Sequence, residues 1–83
     1  MKGLRVVDNY DGLLRAGEYT KWTTRSGVAM WMACTPNGLH GNLSGHTVVE
    51  HEDGTITVTP SILVTGHDAR WHGVLKAGVW EPC

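Results

Sequence analysis

Residues 46–59, which read His-Thr-Val-Val-Glu-His-Glu-Asp-Gly-Thr-Ile-Thr-Val-Thr, decide the fold class of this chain. Two segments rich in valine, isoleucine and threonine flank the dipeptide Asp53-Gly54. Branched side chains pack well on a pleated surface, and Asp-Gly accepts the positive φ angles of a tight turn. The segment therefore predicts an antiparallel β-hairpin.

A two-residue loop at Asp53-Gly54 would determine which side chains of this hairpin share a face. The predicted cross-strand pairs are Glu52–Thr55, His51–Ile56, Glu50–Thr57 and Val49–Val58. In this register the side that faces the core consists of Val49, His51, Ile56 and Val58. Glu50 and Glu52 would lie together on the solvent side, where we expect solvated charges rather than a catalytic carboxylate pair.

Turn-forming residues divide the rest of the chain into further short strands. The predicted turns are residues 8–12, 25–27, 35–38, 66–68 and 76–78. Strands are predicted over residues 4–7, 18–23, 28–34, 39–43, 61–64, 71–75 and 79–80. Pro60 lacks a backbone N–H, so it should mark a strand end or an edge position. Residues 1–83 are thus predicted to form one all-β domain, a small antiparallel sandwich or half-open barrel of six to eight short strands.

Composition excludes several classes of protein. The length of 83 residues fits one small domain, and 41% hydrophobic with 18% charged residues argues against disorder. A net charge of -1 argues against a nucleic-acid partner. No apolar run approaches the roughly 20 residues that span a bilayer, and residues 1–8 lack the apolar core of a signal peptide. We therefore expect no membrane partner, and we expect reduced Cys34 and Cys83 in a cytosolic compartment.

Motifs for catalysis are missing from the sequence. Ser26, Ser44 and Ser61 do not lie in a Gly-x-Ser-x-Gly elbow, and no glycine-rich phosphate loop precedes a helical pattern. A chain of this length also has little material for a pocket that excludes water. We therefore expect a protein without enzymatic activity.

The final hairpin is a candidate binding surface because it holds two of the four tryptophans. A loop at residues 76–78 would place Trp71, Leu75 and Val79 on one face, and His72, Val74 and Trp80 on the other. Apolar groups on both faces predict that this hairpin is covered twice, once by the core and once by a partner. Trp71, His72 and Trp80 are the candidate binding residues, in self-association or in contact with a protein partner.

Two segments, Thr57–Val64 and Trp71–Trp80, resemble parts of small phage and prophage proteins in a family of unknown function, some of them labelled ammonia monooxygenase. The similar features are a Thr-Pro-Ser-Ile strand and a Trp-His-Gly hairpin, with a cysteine-containing turn at residues 34–38 before them. The resemblance covers roughly the C-terminal two thirds of the chain. It implies a phage accessory protein, in the host cytoplasm or in the virion, and it implies no activity.

The same resemblance bears on metal binding. Relatives that look metal-binding carry several cysteines in the first turn and a cysteine before the histidine, whereas this chain has Cys34 alone and Trp71 at the later position. The remaining zinc candidates are Cys34, His40 and His72, and three ligands would form an open site. Two alternatives to a binding module therefore remain, a small zinc-binding domain and a structural component of the virion such as a capsid decoration protein.

Overall fold

A computed structural model describes residues 1–7 and 13–83, so the turn predicted at residues 8–12 lies outside the described residues. The strands are β1 (Leu4–Arg5), β2 (Glu18–Thr23), β3 (Ala29–Cys34), β4 (His40–Asn42), β5 (Thr47–Glu50), β6 (Ile56–Thr65), β7 (Arg70–Lys76) and β8 (Val79–Pro82). None of the described residues is helical.

The described strands form two four-stranded sheets. The N-terminal sheet has the order β1-β2-β3-β4 and the C-terminal sheet has the order β5-β6-β7-β8, so neighbours in space are also neighbours in sequence. Strands β1 and β2 run parallel, and the other paired strands are antiparallel. The predicted all-β class is confirmed, as two sheets that do not close into a barrel.

Both sheets contribute side chains to the hydrophobic core. Its buried members are Tyr19, Ala33, Leu43, Ile56, Val58, Ile62, Leu75 and Trp80. The ring of Trp80 is only 1% exposed. Trp71 packs edge-on against it, with the two ring centroids 5.3 Å apart. Since the chain has no phenylalanine, these large aromatic rings supply much of the buried apolar area.

The register predicted for the β5–β6 hairpin is wrong by one residue. Val48, not Val49, pairs with Val58. The loop contains three residues rather than two, because the N–H of His51 donates to Thr55 O at 2.8 Å and Gly54 adopts a φ of +89°. One extra loop residue moves every side chain of β5 to the opposite face. Val49 is therefore exposed, and Glu50 lies on the face that carries buried Ile56.

Because of the same one-residue difference in register, His51 does not lie on the core face predicted for it. Its imidazole Nε2 lies 2.7 Å from the hydroxyl of Thr57, on the outer side of the C-terminal sheet. The predicted turns at residues 25–27 and 35–38 are confirmed and use the same three-residue geometry. The last loop residue in these two turns is Gly27 or Gly38. Each has a positive φ, as Gly54 has at the same position of the β5–β6 loop.

Pro60 lies inside a strand rather than between two. The predicted strands on either side of it form the single strand β6, which is central in its sheet. This is possible because β5 pairs only as far as Thr59. On the β7 side the register shifts between Val58 and Ile62, so the missing N–H of Pro60 interrupts no regular ladder there.

The predicted faces of the final hairpin also need correction. The loop is the two-residue turn Ala77-Gly78, with positive φ at both positions, and Leu75 pairs with Trp80. Trp71 and Trp80 therefore share the inner face instead of lying on opposite faces. The expectation that this hairpin is covered on two apolar faces loses its structural basis, because both rings belong to one core.

The N-terminal segment joins the two sheets along one side. Met1 and Trp80 exchange backbone hydrogen bonds of 2.9 and 2.8 Å, and Gly3 N–H donates to Gly78 O at 2.7 Å. The chain then crosses over, and β1 pairs with β2 of the other sheet. We call this side of the molecule the closed seam.

Close packing at the closed seam predicts that Gly3→Ala destabilises the fold. A Cβ at Gly3 would lie 2.8 Å from Trp80 Nε1, 2.9 Å from Gly17 O and 3.0 Å from Gly78 O. We expect a loss of about 1–3 kcal/mol in the free energy of unfolding, measured by urea denaturation. Lys2→Ala, at an exposed neighbouring position, is the control. Equal stability of the two variants would contradict the packing described for this seam.

Candidate functional site

The predicted binding residues of the final hairpin occupy different environments. Trp80 is buried, and its indole N–H donates to Gly17 O at 2.9 Å. Trp71 is half-buried beside it. His72 is exposed on the outer face, with Nε2 3.0 Å from the hydroxyl of Ser61. Trp80 therefore acts in packing, and a binding role for Trp71 and His72 stays a prediction.

The predicted zinc candidates are divided between the sheets. Cys34 and His40 are cross-strand partners in β3 and β4. His40 Nε2 lies 2.9 Å from Leu14 O, so this nitrogen carries a hydrogen and is not free to ligate. His72 belongs to β7 of the other sheet. Within residues 1–7 and 13–83, no three His, Cys, Asp or Glu side chains are grouped in a way that could hold a metal ion.

Burial also affects the chemistry of Cys34. Loss of solvation raises the pKa of its thiol, and the nearby carboxylate of Glu18 raises that pKa further. A thiol with a raised pKa is a poor nucleophile and a poor metal ligand at neutral pH. Both cysteines are free, and Cys83 is exposed.

A pocket lies where the chain passes from the N-terminal sheet to the C-terminal sheet. Strand β4 ends at Asn42, and after Leu43 the chain crosses to the C-terminal sheet. The start of β3 therefore extends beyond its neighbour. The resulting pocket has a volume of about 320 Å³. We call this pocket the open seam. Its lining residues are Ala29, Met30, Trp31, Leu43, Ser44, His46 and Val48.

Unpaired backbone groups border the open seam on both sheets. His51 N–H bonds toward β6, so alternation along β5 directs the backbone N–H and C=O of Val48 and Glu50 away from β6. In β3 the same alternation directs the backbone of Ala29 toward the position that β4 leaves empty. No partner for these groups occurs in the described part of the chain. Each sheet thus presents a short free edge here.

Charged side chains gather around the ring of Trp31 beside the pocket. The guanidinium carbon of Arg5 is 5.1 Å, and the ammonium of Lys21 5.7 Å, from the centroid of the Trp31 ring. Both cations pair with one carboxylate, Glu50, at 2.7 and 3.1 Å. These three side chains, two positive and one negative, carry a net positive charge between them.

His46 contributes one unsatisfied polar atom at the open seam. Its Nε2 lies 3.1 Å from Ser61 O, so Nε2 is the donor. Nδ1 is buried and has no hydrogen-bond partner in the described chain. Buried acceptors are normally satisfied, and a missing binding partner is one explanation for an exception.

Comparisons with known proteins assign this chain to no family: no family model, curated protein or solved structure matches it. The resemblance to phage proteins therefore stays a prediction. The described residues also include no helix of the length and hydropathy that a membrane crossing requires.

Sequence reasoning missed the open seam and its residues Met30, Trp31 and Val48. One usable signal was present, the short segment at residues 39–43 followed by Ser44-Gly45. A strand shorter than its neighbour leaves part of that neighbour unpaired. The position of this gap between the sheets, however, depends on the crossover after Leu43, which no local pattern specifies.

The ion pairs at Glu50 predict a pH-dependent contribution to stability. The hydrogen bond from Arg5, followed by that from Lys21, holds the pKa of the Glu50 carboxyl below its usual value. Because the folded-state pKa is lowered, this contribution is complete above the unfolded-state pKa and is lost as pH falls through the folded-state pKa. We expect Glu50→Gln to destabilise the protein at neutral pH and to become neutral in acid.

This pH dependence is measured by urea denaturation of wild type and variant across the acidic range. Glu52→Gln removes an exposed carboxylate without an ion pair among the described residues, and it serves as control. A Glu50→Gln effect that persists unchanged in acid would contradict a contribution from charge pairing.

The two thiols should react at very different rates. We expect iodoacetamide to modify exposed Cys83 quickly and buried Cys34 only when the protein unfolds, as followed by mass spectrometry. Cys83→Ser should abolish the fast modification, and urea should restore reaction at Cys34. Fast modification of Cys34 in the folded Cys83→Ser variant would contradict the burial of this residue.

Proposed function

We propose that this protein is a non-catalytic binding module that takes up an extended segment of another polypeptide chain along the open seam. The observation that carries the proposal is a juxtaposition of three features: the outward backbone groups of Val48 and Glu50, those of Ala29, and a pocket between them with both polar and apolar walls. Within residues 1–7 and 13–83 these backbone groups have no partner. Strand addition needs these two elements, since backbone bonds give affinity and a pocket selects a side chain.

The chemistry of the pocket supports a side chain as occupant. Met30, Trp31, Leu43 and Val48 provide apolar and aromatic walls. Exposed Val28 lies at the β3 end of the pocket, and exposed Val49 lies on β5. An extended segment with alternating apolar residues could cover this surface while its backbone pairs with the sheet edge.

The fold itself contains an example of strand addition. The closed seam is an internal example of the same geometry, in which residues 1–5 pair with β8 and then with β2. The proposed occupant would pair with exposed backbone groups at the open seam, as the N-terminal segment pairs with β8 and β2 at the closed seam. The resemblance to phage proteins adds the proposal that this occurs in an infected host cell, with an accessory role.

Selection from a display library of random extended peptides, followed by NMR, tests this function. We expect the selected peptides to shift amide signals of Ala29, Met30, Val48 and Glu50 most. Ala29→Trp, which places an indole ring in the pocket, should weaken peptide binding roughly tenfold or more. Thr65→Trp, at an exposed position outside the pocket lining, should leave binding unchanged.

Two results would count against the proposal. One is a library without enriched peptides under conditions that enrich binders for a known strand-adding domain. The other is a set of shifts confined to a different surface, such as the final hairpin around His72.

A further inference from the structure

The edges of the two sheets are protected to different degrees. Residues 1–3 cover β8, and β1 continues from them. Strand β4 presents only three residues. Strand β5 is four residues long, is rich in valine, and contains neither proline nor lysine, the residues that commonly block an edge. In the described part of the chain, β5 is therefore the edge most open to pairing.

We propose that the occupant of the β5 edge is β5 of a second copy of this chain, in a two-fold antiparallel pair centred on Val49. This inference rests on the proposed function, because it names the strand that is added at the open seam. It joins two C-terminal sheets into one continuous sheet of eight strands.

The hydrogen-bonding pattern of β5 is self-complementary in this register. Val48 and Glu50 are the residues whose backbone groups point outward. With Val49 on the two-fold axis, Val48 of each copy faces Glu50 of the other, and both are outward-bonding residues. Each of these two facing pairs exchanges an N–H and a C=O, so all outward groups of β5 are satisfied.

Charge distinguishes this register from the adjacent one. A pair centred on Glu50 would place two carboxylates directly opposite each other, which is destabilising. A pair centred on Val49 places Glu50 opposite Val48, and each Glu50 keeps its ion pairs with Arg5 and Lys21 of its own chain. The register that satisfies the backbone thus also separates the like charges.

The side chain of Val49 fits a position on such an axis. It is 51% exposed on the outer face. In a non-hydrogen-bonded antiparallel pair, facing Cα atoms are only about 4.5 Å apart, so two Val49 side chains would cover one another. Because the added contact spans few residues, the dimer should be concentration-dependent rather than permanent.

Native mass spectrometry and analytical ultracentrifugation over a concentration series test this pairing. Wild type should shift from monomer to dimer, and Val49→Lys should weaken dimerisation at least roughly tenfold, because two lysines would meet on the axis. Leu63→Lys is the matched control. It adds the same charge at a 57% exposed position on the outer face of the same sheet, and it should leave dimerisation unchanged.

Disulfide trapping tests the register itself. In a Cys83→Ser background, which removes the exposed thiol, Val49→Cys should form a covalent dimer under mild oxidation, because the predicted Cα separation lies within disulfide range. Leu63→Cys in the same background should remain monomeric. A dimer that is equally strong in Val49→Lys, or that Val49→Cys fails to trap, would overturn the pairing.

A wild-type protein that stays monomeric throughout the concentration series would also overturn self-pairing. That result leaves the broader function separately testable, because peptide binding is measured by NMR on the monomer at Ala29 and Val48. Failure of peptide binding together with a trapped Val49→Cys dimer would instead show that the edge accepts its own strand and no other.

Discussion

Trp80 holds the two sheets together, and much of the remaining structure depends on this residue. Its backbone exchanges hydrogen bonds with Met1, and its indole N–H donates to Gly17 O at the start of β2. The same ring packs against Trp71 in the core. One side chain thus connects the C-terminal sheet, the N-terminal segment and the N-terminal sheet. A domain with so few buried residues depends strongly on such a connection.

The two seams of the sandwich differ in what pairs with the strand edges that border them. At the closed seam, residues 1–3 pair with β8, and β1 pairs with β2. At the open seam Leu43 N–H donates to Trp31 O of β3, whereas the outward backbone groups of Ala29, Val48 and Glu50 have no partner among the described residues. The proposals for this protein follow from that asymmetry, because a strand edge beside a pocket is the arrangement that strand addition uses.

The sequence was sufficient to predict the strands but not their registers. Glycine and Asn-Gly positions located the turns at residues 25–27 and 35–38 correctly, and the alternating residues between turns correctly indicated β structure. Register failed at Asp53-Gly54 and at Ala77-Gly78, because the number of loop residues depends on backbone angles that a dipeptide does not determine. The prediction that Pro60 ends a strand was wrong for another reason. A proline without a backbone N–H fits inside β6 because β5 pairs only as far as Thr59. These register errors affected the candidate site most. In the β5–β6 hairpin Val48 takes the inner position predicted for Val49, and in the β7–β8 hairpin Trp80 lies in the core.

The closed seam has a consequence for how the chain acquires its structure during synthesis. The hairpins formed by β2 to β4 and by β5 to β7 join residues close in sequence, so each can form as soon as its own strands have left the ribosome. The hydrogen bond between Met1 and Trp80 links residues 79 positions apart. Residues 1–3 therefore cannot complete this pairing until Trp80 has left the ribosome. Until then the closed seam is incomplete, and the nascent chain exposes the backbone groups that residues 1–3 and β8 later satisfy in each other.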